Sequence, residues 1–232
     1  MSLLVPPRRP SRERLDDPNL PWDETRRSLE DIAWVHRSWR VSGALVRHLA
    51  RRIRALGRPA VSILDLGAGT GEVARRLEAR LSDSGCRPRV TALDLQWRHL
   101  ALGRIGRGGG PAAVCADAYR LPFRDGAFDF AVSTLFFHHF SPEQNRRLLG
   151  EIRRVARHGF AILDLRRHIL PALFIATAGR LLFRTRVSVD DGVASVRQAY
   201  TPEEALEVAR GAARASRARR VFPFALLLTG DR

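Results

Sequence analysis

Three glycines at alternate positions, Gly67, Gly69 and Gly71, interrupt the stretch from Val61 to Val73. Glycine tolerates left-handed turns and lets backbone approach a ligand at contact distance. The apolar residues ahead of them read as a buried strand, and Val73, Ala74 and Leu77 behind them as the inner face of a helix. Strand, glycine turn and helix together open a nucleotide-type site in a doubly wound sheet. The dinucleotide-binding form of this turn needs Gly or Ala where this chain has Glu72. Glu72 and Asp65 would repel a pyrophosphate at the helix start, so the turn suits a ligand that is not a phosphate.

Further chemistry-bearing residues close later apolar runs. Asp94 lies 23 residues after Gly71, a place from which a carboxylate can accept hydrogen bonds from both ribose hydroxyls. A helix N-cap is a second and compatible role for it. Asp117 follows the third run, and His138 and His139 follow the fourth. Histidine titrates where a base for a weakly acidic hydroxyl is needed at neutral pH. Both histidines could equally hydrogen-bond backbone at the strand end. Arg166 and Arg167 leave the fifth run and could orient an anionic or phenolic group, or form an exposed loop pair. Arg37 could pair with a carboxylate of the ligand or face solvent. Trp34 and Trp39 could wall an aromatic group or pack in the interior.

These residues need a scaffold in which strands and helices alternate, the pattern of a parallel sheet. The sequence predicts strands near 61–66, 89–95, 112–116, 128–134, 159–165, 214–221 and 224–230. Helices are expected near 70–81, 97–104 and 142–156, with another opened by Thr201 and Pro202. Two helices precede the core within 22–57, the first capped by Asp23 with Leu29, Ile32, Ala33 and His36 on one stripe, the second stopped by Gly57. Residues 1–21, rich in Pro and Arg, are expected to be a mobile segment ahead of a domain over 22–232. An insertion at 166–200 carries an apolar run, Ile169 to Phe183, flanked by arginines. It reads as a buried helix, as a lid bearing Phe174 over an apolar acceptor, or as a surface that rests on an anionic membrane.

Composition narrows the class. The chain has 232 residues, 45% of them hydrophobic, enough for one domain with a proper core. The formal net charge is +16, and arginine is the only strongly basic residue type. Such a surface suits nucleic acid, an anionic membrane or an acidic substrate, or has no partner. Cys86 and Cys115 are isolated, with neither metal-ligand spacing nor a disulfide framework, which suits a reducing cytoplasm. No metal is expected. The first residues are too short in apolar content for a signal peptide.

The run from Val61 to Val73 resembles motif I of class I S-adenosylmethionine-dependent methyltransferases. The stretch Asp117 to Asp129 resembles those of the ubiquinone/menaquinone-biosynthesis type, in which the acid matching Asp117 binds the adenine amino group. Asp16-Asp17-Pro18, Asp164 to Arg167, Ser195 to Arg197 and Tyr200 to Leu206 resemble a bacterial subgroup often found beside type III polyketide synthases. That subgroup often carries Asn-Arg where this chain has His36-Arg37. The resemblance implies a Rossmann-like α/β fold with a seven-stranded, mostly parallel sheet. It implies S-adenosylmethionine bound by Asp65, Gly67, Gly69, Gly71, Asp94, Leu95, Asp117, Ala118 and Arg37, leaving as S-adenosylhomocysteine. The acceptor would be a small phenolic, quinonoid or polyketide-derived molecule, aromatic or lipophilic, near Trp34, Phe174, Arg166 and Arg167. His138 or His139 would take its proton. An RNA methyltransferase with an arginine-rich surface and a non-catalytic cofactor-binding protein are the alternatives.

Overall fold

In the computed structural model, which describes residues 4–38, 42–83, 85–104, 111–210 and 212–232, the apolar runs become seven strands. These are β1 (Ala60–Leu66), β2 (Arg87–Asp94), β3 (Ala112–Cys115), β4 (Phe130–Thr134), β5 (Phe160–Leu165), β6 (Arg214–Val221) and β7 (Ala225–Asp231). They form one sheet in the order β3-β2-β1-β4-β5-β7-β6. The first five are parallel, whereas β7 runs antiparallel to β5 and β6 antiparallel to β7. The strand order therefore reverses between β1 and β4, and the crevice outside their C-terminal ends is where an open α/β sheet binds its ligand.

Both faces of the central strands are covered, which explains their unbroken apolar character. Ile63 packs with Leu45, Leu49, Leu77 and Leu81 on one side. Its neighbour Leu64 packs with Leu148, Leu149, Ile152 and Val208 on the other, as strand alternation requires. The covering helices are α1 (Trp22–Ser38), α2 (Gly43–Leu56), α3 (Glu72–Ser82), α4 (Trp97–Arg104), α5 (Pro142–Val155), α6 (Ile169–Leu182), α7 (Arg186–Gln198) and α8 (Pro202–Ala209). Reciprocal capping boxes open α5 at Ser141 and Gln144 and α8 at Thr201 and Glu204, each followed by a proline in the first turn.

Three features depart from expectation. First, α1 starts at Trp22, so Asp23 lies inside its first turn and pairs with Arg26 at 2.5 Å and Arg27 at 2.9 Å instead of capping. Second, residues 4–21 were expected to be mobile but lie against the body of the fold. The Arg8 guanidinium donates to the carbonyls of Gln198, His138 and Phe140, and Asp191 on α7 accepts the Arg14 and Leu15 amides at 2.9 Å. Third, the 166–200 insertion is a pair of packed helices, α6 and α7, joined by a turn in which the Thr185 side chain caps α7.

Candidate active site

The glycine turn after β1 is shaped by two different needs. Gly67 has φ +65° and lies under Phe136, whose ring would be 2.4 Å from an added Cβ. Gly69 has φ +55°, and an added Cβ there would meet only Leu29 at 4.0 Å, because it faces a cavity. That cavity has a volume of about 860 Å³ and runs along the C-terminal edge of β1, β2 and β4.

Asp94 closes β2 and braces the turn. One carboxylate oxygen accepts the Gly69 amide and the other the Gln96 amide, each at 2.8 Å. Beneath it, Asp65 is fully buried, and one of its oxygens has no hydrogen-bond partner. Burial, with Asp94 adding like-charge repulsion, pushes its carboxyl up to about 7. Asp117 is exposed on the rim and accepts the Tyr119 amide at 2.8 Å. Leu95 and Ala118 also border the cavity. Asp129 does a different job: it accepts from the Ser62 amide, the Ser62 hydroxyl and Arg58, tying β4 to β1.

A second cluster faces the same cavity. After β4 the chain turns through Leu135, at φ +53°, into a short 3-10 turn over Phe137–His139. His138 is 2% exposed; its Nδ1 lies 2.6 Å from Asp164 on β5, and its amide donates to the same carboxylate at 2.8 Å. Its Nε2 faces Glu13 at 3.3 Å. His139, partly open to the cavity, sets Nε2 3.7 Å from Glu13 and Nδ1 3.2 Å from Asp16. Glu13 also accepts from Ser195 at 2.6 Å and Gln198 at 2.7 Å. Burial opposes charge on His138, but Asp164 and Glu13 outweigh it and push the imidazolium up to about 10. Burial likewise opposes charge on Glu13, yet His138 and His139 bring its carboxyl down to about 2. His138 therefore keeps its proton at neutral pH, which sets it apart from the proton-accepting role expected of the pair.

Several expected residues lie elsewhere. Gly71 caps α3 and flanks a separate small crevice beside Pro111. Arg37 is half exposed and lies 3.9 Å from Glu72; its neighbour His36 is the one that borders the cavity. Burial, with Arg76 adding repulsion, brings His36 down to about 4. Arg167 is buried and spent on structure, donating to Pro6 and Ala199 carbonyls and to both oxygens of Glu204. The Arg166 amide donates to Phe224 and its guanidinium stacks over that ring. Trp34 packs edge-on against Phe183, and Phe174 lies on the outer side of α6, 42% exposed. Trp39 falls outside the described residues. On α6 it is Ile175, with Phe183 just after the helix, that walls the cavity.

The chain is similar to known proteins. Residues 63–159 match the family model described as a methyltransferase domain. The chain is 38% identical over 116 residues to the ubiquinone/menaquinone biosynthesis C-methyltransferase UbiE of Bordetella avium, covering 48% of this chain and 43% of that protein. It is 39% identical over 95 residues to the malonyl-[acyl-carrier protein] O-methyltransferase of Geobacter sulfurreducens, covering 40% of this chain and 33% of that protein. The matched stretches thus span less than half the length of these curated relatives. Among solved structures, magnesium protoporphyrin IX methyltransferase of Synechocystis PCC 6803, with S-adenosylhomocysteine bound, superposes with a TM-score of 0.54. That match has 15% identity and covers 88% of this chain and 99% of that one, a likeness of fold.

Proposed function

We propose that the chain is a class I methyltransferase that moves a methyl group from S-adenosylmethionine to a small, largely apolar acceptor of phenolic or quinonoid type; residues 63–159 match a methyltransferase-domain model. One observation carries this reading: the Gly69 turn braced by Asp94 and the Glu13–His138–His139 cluster open onto a single cavity. The cofactor fits the residues present. Gly69 leaves room that a side chain would fill, and each Asp94 oxygen keeps a lone pair for a ribose hydroxyl beyond the amide it accepts. Asp117 stands on the rim where an exocyclic amine would be received. Asp65, Glu72, Asp94 and Asp191 border the cavity against one arginine among the described residues, Arg12. That balance suits a ligand carrying sulfonium and ammonium groups and opposes a polyanion, which favours a small acceptor over RNA. When bound, S-adenosylmethionine supplies the electrophilic methyl; the protein aligns the reactants and excludes water.

Leu29, Ile32, Phe136, Phe140, Ile175 and Phe183 supply the apolar walls for the acceptor. His139, paired with Asp16, is the residue placed to receive the acceptor's hydroxyl proton. Labelled methyl transfer to a panel of phenols and hydroquinones tests the reading. The His139→Ala variant is expected to lose roughly a hundredfold in turnover with S-adenosylhomocysteine affinity unchanged. Labelling of RNA but of no small acceptor would overturn it.

The outer side of α6 favours a further element of the same reading, a peripheral membrane contact. Leu170, Leu173, Phe174, Leu181 and Leu182 are exposed together, with Arg180 and Arg186 alongside and Arg184 paired with Glu30. Among the described residues no helix is long and apolar enough to cross a membrane. An apolar helix face flanked by cations instead suits the surface of an anionic bilayer, from which a lipophilic acceptor could pass behind Ile175 and Phe183.

A further inference from the structure

We infer that Glu13, His138 and His139 form a binding site for a divalent transition-metal ion of the zinc class. The inference stands apart from methyl transfer, because it rests on the ligand set alone. Both histidines are held in the arrangement that metal-binding histidines use, one ring nitrogen given to a carboxylate and the other left to face the ion. On His138, Nδ1 is engaged by Asp164 at 2.6 Å, and Nε2, almost fully buried, has no hydrogen-bond partner and faces Glu13 at 3.3 Å. On His139, Nδ1 is engaged by Asp16 at 3.2 Å, and Nε2 lies 3.7 Å from the other oxygen of Glu13.

The spacing fits. Two ligand atoms about 2.0 Å from zinc at the tetrahedral angle lie about 3.3 Å apart. The donor atoms of Glu13, His138 and His139 all lie within 4.8 Å of one another, so small side-chain movements close the site. Two histidines and a glutamate are a ligand set that leaves a fourth position open, and here that position faces the cavity. Glu13 is itself oriented by Ser195 and Gln198, as ligating carboxylates usually are. Binding would displace the proton that His138 otherwise holds, the ion taking its place among the carboxylates of Glu13, Asp16 and Asp164. An ion here would polarise an acceptor hydroxyl entering the open position. That overlaps the task given to His139 above, so the deciding readout is binding rather than turnover.

The test uses tag-free full-length protein, stripped with chelator and dialysed. Co2+ is titrated with visible absorbance as the readout, Zn2+ in competition with a chromophoric indicator, and S-adenosylhomocysteine by calorimetry in parallel. One Co2+ per chain is expected, with a nitrogen- and oxygen-ligand spectrum free of thiolate charge transfer. Glu13→Gln and His139→Ala should each weaken it more than tenfold, Asp164→Asn by about 10- to 100-fold, and Cys115→Ser not at all. Because Glu13 is buried, His139→Ala, at a more open position, keeps the test decisive if Glu13→Gln fails to fold. Wild-type protein that binds S-adenosylhomocysteine but no Co2+ would overturn the metal inference and leave the methyltransferase reading standing. Ion binding lost in Cys115→Ser but kept in His139→Ala would overturn it as well.

Discussion

Asp65 is an acid placed where its charge is unwelcome, and replacing it should reveal how the site is built. It is fully buried, shares the site with the Asp94 carboxylate, and has one oxygen without a partner. Its folded-state value of about 7 stands against an ordinary 3.8. Between those values the folded chain holds a proton that the unfolded chain has released, so stability falls as pH rises through this window. Three units at 1.36 kcal/mol each amount to about 4 kcal/mol once the carboxyl is fully ionised, an upper bound because the surroundings relax. Asn keeps the shape and an acceptor for the Ala74 amide but removes the charge. In urea denaturation, Asp65→Asn should match wild type within about 1 kcal/mol at pH 4 and exceed it by about 2–4 kcal/mol at pH 8.5. A cationic ligand reverses the balance by compensating the ionised carboxylate. Wild-type affinity for S-adenosylmethionine should therefore rise between pH 6 and 8, and that of Asp65→Asn should stay flat. A stability gap independent of pH, or equal pH dependence of binding in both proteins, would refute the reasoning.

Asp94→Ala removes the acceptor of the Gly69 and Gln96 amides along with the proposed ribose contact, and should weaken S-adenosylhomocysteine binding by about 1–3 kcal/mol in calorimetry. Leu173→Asp combined with Leu181→Asp changes only the outer side of α6. It should abolish co-sedimentation with anionic liposomes at low salt while methyl transfer to a water-soluble acceptor persists; equal sedimentation of wild type and variant would dismiss the membrane contact.

The parts of this structure that depend on local pattern were legible in the sequence. Unbroken apolar runs ended in strands because both faces of the sheet are covered, and the glycine turn followed β1 because Gly67 and Gly69 hold left-handed backbone. Asp94 and Asp117, singled out at the ends of apolar runs, border the cavity. What escaped was decided by partners far away in the chain. Glu13 lies in a segment whose Pro and Arg content reads as unanchored, yet Ser195, 182 positions later, and Gln198 fix it beside His138. Arg167 reads as a ligand for substrate until Glu204, in the capping box of α8, is seen to engage both its terminal nitrogens. The length and apolarity of α6 suggested burial, a lid or a surface that rests on a membrane. Only packing reveals that Ile175 faces the cavity while Leu173 and Phe174 face outward, and period alone cannot separate those faces in a helix apolar all round.

The central claim is that the turn at Gly69 receives S-adenosylmethionine. Calorimetric titration of S-adenosylhomocysteine into wild type and Gly69→Val, with circular dichroism to verify the fold, tests it most directly. A valine there would stand in the cavity beside Leu29, so the account predicts one site per chain in wild type and none in the folded variant. No binding to wild type, or equal binding to both, would contradict it.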